Sequence, residues 1–480
     1  MTFLSKQSSA KVIELREMQG RCIDESPIPL EAGLIDFNDK FRLPKPRNYM
    51  LICVATAIQL SAMTIVFTSS EAYSKKLGLD GGFWPGFLIG IVPILAGMSG
   101  FGWQYLNNRV GYKSTYVVTA FVALVGAVFY ALAGYAQSPA ILVLGRVLLG
   151  IGTPRNVMFH YLAVTVGKAH KTARMGQVLA CASFGLGLGP LLSSFFDYVF
   201  GDVAGLNPSA PIIFNTLSLP GWVLAALFML LIVGFLFLFE DVPLSEQHRY
   251  TAFTAKVNTA NTANSPSQLE GVWLYIALIM LLITVITNAI GIGSMETRTA
   301  FIAIGNSTYA KEVGSGFAWS WSPVVAGVYV GGIFIWFTFF GFWESRLAGD
   351  VFHFEDRSVL LLAFAIGSVS SALLFNYDVS KDANIVMWTI GLLMFQGALI
   401  VGKVHVFSLA LKLAPNKWID SYTVWISLMN CFGRGIGPMI ATYVGDGYLE
   451  STIFTSIILA FVVANTLGIS LLYTKLKVSS

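Results

Sequence analysis

A chain of 480 residues that is 55% hydrophobic and only 12% charged, with a mean hydropathy of +0.69, is not a soluble domain, which carries about twice that charge fraction. Its formal net charge of +4 is spread along the sequence, which excludes a nucleic-acid patch. Apolar runs of about 20 residues recur, long enough to cross a bilayer, and hydrocarbon forces such runs to be helical. The expected fold class is an all-α, multi-pass membrane protein.

Residues 1–48 are polar and mixed in sign and lack an apolar signal core. They read as an N-terminal tail that ends in the basic cluster KFRLPKPR, Lys40 to Arg47. About twelve spans follow, near 49–70, 83–106, 114–136, 139–166, 173–198, 217–240, 271–295, 322–344, 357–376, 385–411, 421–445 and 452–474. Residues 241–270, rich in Thr, Asn, Ala and Ser, read as a flexible linker. The linker divides the chain into six-helix halves at 49–240 and 271–474, with a short C-terminus at 475–480. That is the layout of a transporter with its site between two pseudo-symmetric halves.

Alternate loops hold Arg109 and Lys113, then Lys168, Lys171 and Arg174, then Arg249 and Lys256, then Arg346 and Arg357, then Lys412 and Lys417. The positive-inside rule places these loops, the linker and both termini in the cytosol. The sequon at Asn306, a glycosylation candidate, then falls on the opposite side. The four cysteines, Cys22, Cys53, Cys181 and Cys431, form no CxxC pair and no metal spacing. There is no nucleophile–base arrangement and no phosphate-cradling loop, so neither an enzyme nor a metal or other cofactor is expected.

Three motifs occur in order. GWQYLNNRVGYKS (Gly102 to Ser114) resembles the loop signature of the major facilitator superfamily. Arg109, Gly111 and Lys113 match it; Asn108 stands for the aspartate and Tyr112 for the second basic residue. RVLLGIG (Arg146 to Gly152) resembles the superfamily's fourth-helix pattern, and SFGLGLGP (Ser183 to Pro190) its antiporter-type motif. Gly185 and Gly189 permit close backbone approach, and Pro190 permits a bend. The resemblance implies that Arg109, Gly111, Lys113, Gly185, Gly189 and Pro190 serve conformational change.

Further patches resemble the SPX–MFS vacuolar phosphate transporters and the related lysosomal anion-conducting protein of neuronal ceroid lipofuscinosis. They are SSEAYSKKLG (Ser69 to Gly78), GTPRNVMFHY (Gly152 to Tyr161), LSLPGWV (Leu217 to Val223), SMETR (Ser294 to Arg298) and FEDR (Phe354 to Arg357). The tail is too short for an SPX domain, so control through one is not expected. Met158, Phe159 and His160 stand where those transporters carry more positive charge, which favours anion handling in general over phosphate in particular. The resemblance implies a vacuolar or lysosomal membrane, with the plasma membrane open.

Charges inside spans default to function because hydrocarbon makes them costly. Arg146, Arg155, Lys403 and Arg434 would give a cationic, substrate-binding cavity shared by both halves; paired guanidinium donors suit phosphate or carboxylate. Glu296, with Arg298 close by at the end of the seventh span, is the candidate proton-coupling carboxylate, and His160 and His405 are titratable candidates. The leading expectation is a secondary transporter of a small anion, phosphate first, acting in a lipid bilayer, with a proton or counter-ion as possible partner. A transporter of an organic solute such as a sugar, amino acid or drug, and an anion channel on the same scaffold, are the alternatives.

Overall fold

The computed structural model describes residues 43–79, 82–166, 171–200, 217–241, 272–304, 319, 321–346, 355–377, 384–414, 419–444, 448–474 and 476. The helices are α1 (Pro46–Thr64), the short α2 (Ser70–Lys76), α3 (Phe83–Leu132), α4 (Pro139–Ile151), α5 (Arg155–Thr165), α6 (Lys171–Phe200), α7 (Leu219–Leu238), α8 (Val272–Ile304), α9 (Pro323–Arg346), α10 (Asp356–Ser371), α11 (Ile385–Leu413), α12 (Ile419–Tyr443) and α13 (Tyr448–Leu472). No strand occurs among the described residues. Nine described helical stretches are long and apolar enough to cross a membrane. One of them, α3, has 50 residues, about 75 Å of helix and enough for two crossings. With α1 and the more polar α12, the spans number twelve, as the sequence predicts. The proposed linker and the sequon at Asn306 lie outside the described residues.

The structure redraws four spans. The second and third are continuous in α3, turned by Gly111 at φ 85 and ψ 173, a left-handed conformation that suits glycine. The fourth is interrupted: α4 stops at Ile151, Gly152 to Pro154 are not helical, and α5 restarts at Arg155. Proline disfavours a helical residue before it, which places the break there. The Ile151 carbonyl accepts from Trp103 Nε1 at 2.6 Å and Ser99 Oγ at 3.3 Å, so a backbone group at the break is still satisfied within the membrane. The seventh span runs on to Ile304, so Glu296 and Arg298 lie inside it rather than at its end, both buried.

The first and last spans begin and end on one face, the terminal face. On the opposite face the two halves meet along a repeated seam. Phe184 to Pro190 in α6 and Phe432 to Pro438 in α12 share the pattern FGxGxGP, and their glycines make equivalent contacts. In α6 a Cβ on Gly185 would lie 2.1 Å from the Ala57 carbonyl oxygen, and one on Gly189 would lie 2.2 Å from Thr64 Oγ1, both on α1. In α12 Gly433 and Gly437 approach Ile286 and Ile290 on α8 in the same way. The middle glycine of each set faces the other half. A Cβ on Gly187 would lie 2.7 Å from the Gly331 carbonyl oxygen on α9, and one on Gly435 would lie 2.5 Å from that of Gly90 on α3. Pro190 has no N–H for the Leu186 carbonyl, and Thr64 Oγ1 supplies the donor instead at 2.9 Å.

Candidate functional site

Between the seam and the terminal face, α5, α8, α11 and α12 bring four charged side chains together. Arg155 opens α5 directly after the break. Glu296 comes from α8, Lys403 from α11 and Arg434 from α12. Arg434 Nη1 donates to Glu296 Oε2, and both side chains are buried. Arg155 and Lys403 lie within electrostatic reach of that pair. Arg155 Nη1 points at Cys431 Sγ, 4.0 Å away, and Arg434 Nε has no hydrogen-bond partner. Three cations thus surround one carboxylate, with the N-terminal end of α5 and its positive dipole beside them. Such a constellation can bind an anion through charge and N–H donors.

Glu296 has a second outlook. It lines a small cavity between α8, α9 and α11 with Thr299 and Gln396, walled by Phe334 and Phe337. The Gln396 amide nitrogen is held by the Ile292 carbonyl at 3.1 Å, while its oxygen has no partner. Glu296 thus borders both the cation cluster and this cavity.

Arg146 sits elsewhere. It is fully buried, and its donors go to backbone: Nε to Leu88 O at 2.8 Å, Nη1 to Ala62 O at 2.9 Å and Nη2 to Met63 O at 3.3 Å. Those two α1 carbonyls lie where the helix unwinds at Ile65 to Ser69, so the guanidinium satisfies groups the turn leaves behind. The structure therefore brings together Arg155, Lys403 and Arg434 but not Arg146. The histidines also stand apart from one another. His160 Nδ1 pairs with Tyr112 Oη at 2.7 Å, and His405 Nδ1 with Asp356 Oδ1 at 2.9 Å, an arrangement completed by Ser408. Both contacts lie toward the terminal face.

In the loop motif, Gly111 packs on Asp241, whose carboxylate accepts from the Tyr112 N–H at 3.1 Å and the Lys113 N–H at 3.3 Å. This caps the second arm of α3. Arg109 is exposed and stacks on Tyr105 of its own helix at 4.4 Å, while Asn108 accepts from Gln104 at 3.2 Å. Next to Asp241, Glu240 binds Lys45 and its backbone exchanges hydrogen bonds with the Asn48 amide at 2.7 and 3.0 Å. The Lys45 ammonium holds the Glu240 carboxyl below its ordinary range.

Sequence reasoning missed Asp241 and the middle glycines Gly187 and Gly435. The repeated FGxGxGP would have exposed the last two. Nothing local marks Asp241 as a cap for a helix so distant in sequence.

The Major Facilitator Superfamily pattern matches residues 35–438. The chain belongs to this superfamily. An SPX domain-containing membrane protein of Oryza sativa subsp. indica is 25% identical over 218 residues, which is 45% of this chain and 29% of that relative. The chain thus spans less than a third of that relative's length. The proton:xylose symporter XylE superposes with a TM-score of 0.63 at 12% identity, covering 90% of this chain and 95% of the symporter. The human organic anion transporter MFSD10 superposes with a TM-score of 0.59 at 12% identity, covering 89% of this chain and all of that one. At this identity both likenesses concern the fold.

Proposed function

We propose that this chain is a secondary transporter that carries a small anion, phosphate first, by alternating access. One observation carries the reading. Arg155 from the first half meets Lys403 and Arg434 from the second, and the Lys403 ammonium has no hydrogen bond or ion pair among the described residues. One carboxylate does not balance three cations, and an anion would. Guanidinium and ammonium donors around one point suit a tetrahedral oxyanion.

Two closures flank the cluster and support a carrier over a continuous pore. The glycine seam lies on the face opposite the termini. Toward the terminal face, the buried rings of Phe159 and Phe407 meet across the halves with centroids 6.1 Å apart. Glu296 is the proton-coupling group in this reading, with both termini cytosolic and an organelle membrane, vacuolar or lysosomal, as the site of action.

Proteoliposome uptake of labelled phosphate, with and without a pH gradient and against a panel of anions and neutral sugars, tests the proposal. Saturable uptake inhibited by anions and not by sugars is the expected result. Uptake of a sugar that phosphate and chloride leave untouched would overturn it, and sustained current without counter-ion coupling would assign a channel instead.

A further inference from the structure

The central site holds acceptors as well as cations. Around the α12 axis, Gly433 and Gly437 face α8, while Cys431 and Gly435 face α3. The residues between those two sectors face the junction of α8 and α3. Arg434 is one, and Asn430, a turn earlier at i−4, shares its face. Asn430 is 3% exposed, and its amide oxygen has no hydrogen-bond partner. A buried acceptor left bare is costly, because it has given up water for no partner. On the face that carries Arg434 a bare acceptor is also paradoxical, since a fully deprotonated anion would meet its lone pairs with its own.

An O–H on the ligand resolves both points. We infer that the site recognises an oxyanion that carries its own hydroxyl, with the cations binding the charged oxygens and Asn430 Oδ1 accepting the O–H. This rests on the anion-transport reading above and narrows the substrate class within it. Inorganic phosphate and arsenate keep at least one O–H throughout the neutral range; sulfate and selenate keep none and are otherwise close in shape. The Glu296 carboxylate, also an acceptor, discriminates in the same direction. A site built to bond a ligand hydroxyl rejects the analogue that lacks it, because its polar groups are then left unpaired. Asn430 is accordingly a specificity-determining residue.

The test uses the full chain in proteoliposomes at constant ionic strength, with labelled phosphate uptake competed by unlabelled phosphate, arsenate, sulfate and selenate. Arsenate should compete within a few-fold of phosphate, and sulfate and selenate should need on the order of 100-fold higher concentration. Asn430→Leu, similar in size but with no acceptor, should shrink the phosphate-to-sulfate gap below about tenfold, and Asn430→Ser, which restores an acceptor, should recover part of it. Equal competition by sulfate in the unmodified protein overturns the inference while leaving an anion site in place, and this arm decides the matter even where Asn430→Leu does not fold. An unchanged gap in a folded Asn430→Leu also overturns it. Failure of every oxyanion to be transported or to compete overturns the anion reading itself.

Discussion

Arg146 and Arg434 are both buried arginines, yet their donors have different destinations, and that difference predicts different phenotypes. Arg146 spends its donors on three carbonyls of α1 and α3. A lysine cannot span them and a leucine deserts them all, at about 1–3 kcal/mol for each orphaned group. Arg146→Leu is therefore expected to reduce the monodisperse fraction on size-exclusion chromatography before any question of transport arises. A well-folded Arg146→Leu that had lost only anion uptake would return this residue to the substrate site. Arg434 holds Glu296. Arg434→Ala should abolish uptake and also destabilise the protein by about 3–5 kcal/mol, because a buried carboxylate is left without its partner. Arg434→Leu with Glu296→Leu should regain much of the lost thermal stability and none of the transport. Thermal unfolding and flux, measured on the same preparations, separate the two effects. From sequence the two arginines look alike: each is a charge in an apolar run. What distinguishes them is which backbone the fold brings near, and no spacing along the chain encodes that.

Among the elements, the joints carry more information than the helices. At the Gly111 turn the second arm of α3 starts against the Asp241 carboxylate. Asp241→Ala should lower stability by about 1 kcal/mol and Asp241→Asn by less, read as a shift in the melting temperature in detergent. No change in Asp241→Ala would show that water caps the arm equally well. At the seam, Gly435 lies against the Gly90 carbonyl. Gly435→Leu leaves no room for the two helices to meet, so it should hold the face opposite the termini open. Single cysteines placed in the outer turns of α3 or α12 would then label faster, and uptake would fall at least tenfold. Unchanged labelling would mean that the seam is not a closure. The α4–α5 break was legible in part, because Gly152-Thr153-Pro154 is a helix-breaking run. Hydropathy nevertheless draws one span from 139 to 166, since it responds to apolarity and not to hydrogen bonds. The same blindness ends the seventh span too early: Glu296 and Arg298 depress the local hydropathy although the helix continues through them to Ile304.

On the scale of the molecule, the twelve spans and the two halves were legible because bilayer thickness fixes helix length and charge avoids hydrocarbon. The presence of cations in both halves was legible too. Their neighbourhood was not: Arg155 and Arg434 are 279 positions apart by their numbers, and only the packing of α5 against α12 brings them together.

That packing has a mechanical consequence. The bond between Arg434 and Glu296 joins α12 to α8, within one half, so rocking the halves apart leaves it intact. Arg155 belongs to the other half. Closure therefore compresses like charges across the midline, Arg155 against Lys403 and Arg434, and this repulsion acts as a spring that favours opening on either face. An anion lodged among them reverses its sign, since each half is then attracted to the same ligand. Under the anion-transport proposal, the cargo itself becomes the fastener of the closed state, and a loaded carrier should cross its cycle more readily than an unloaded one.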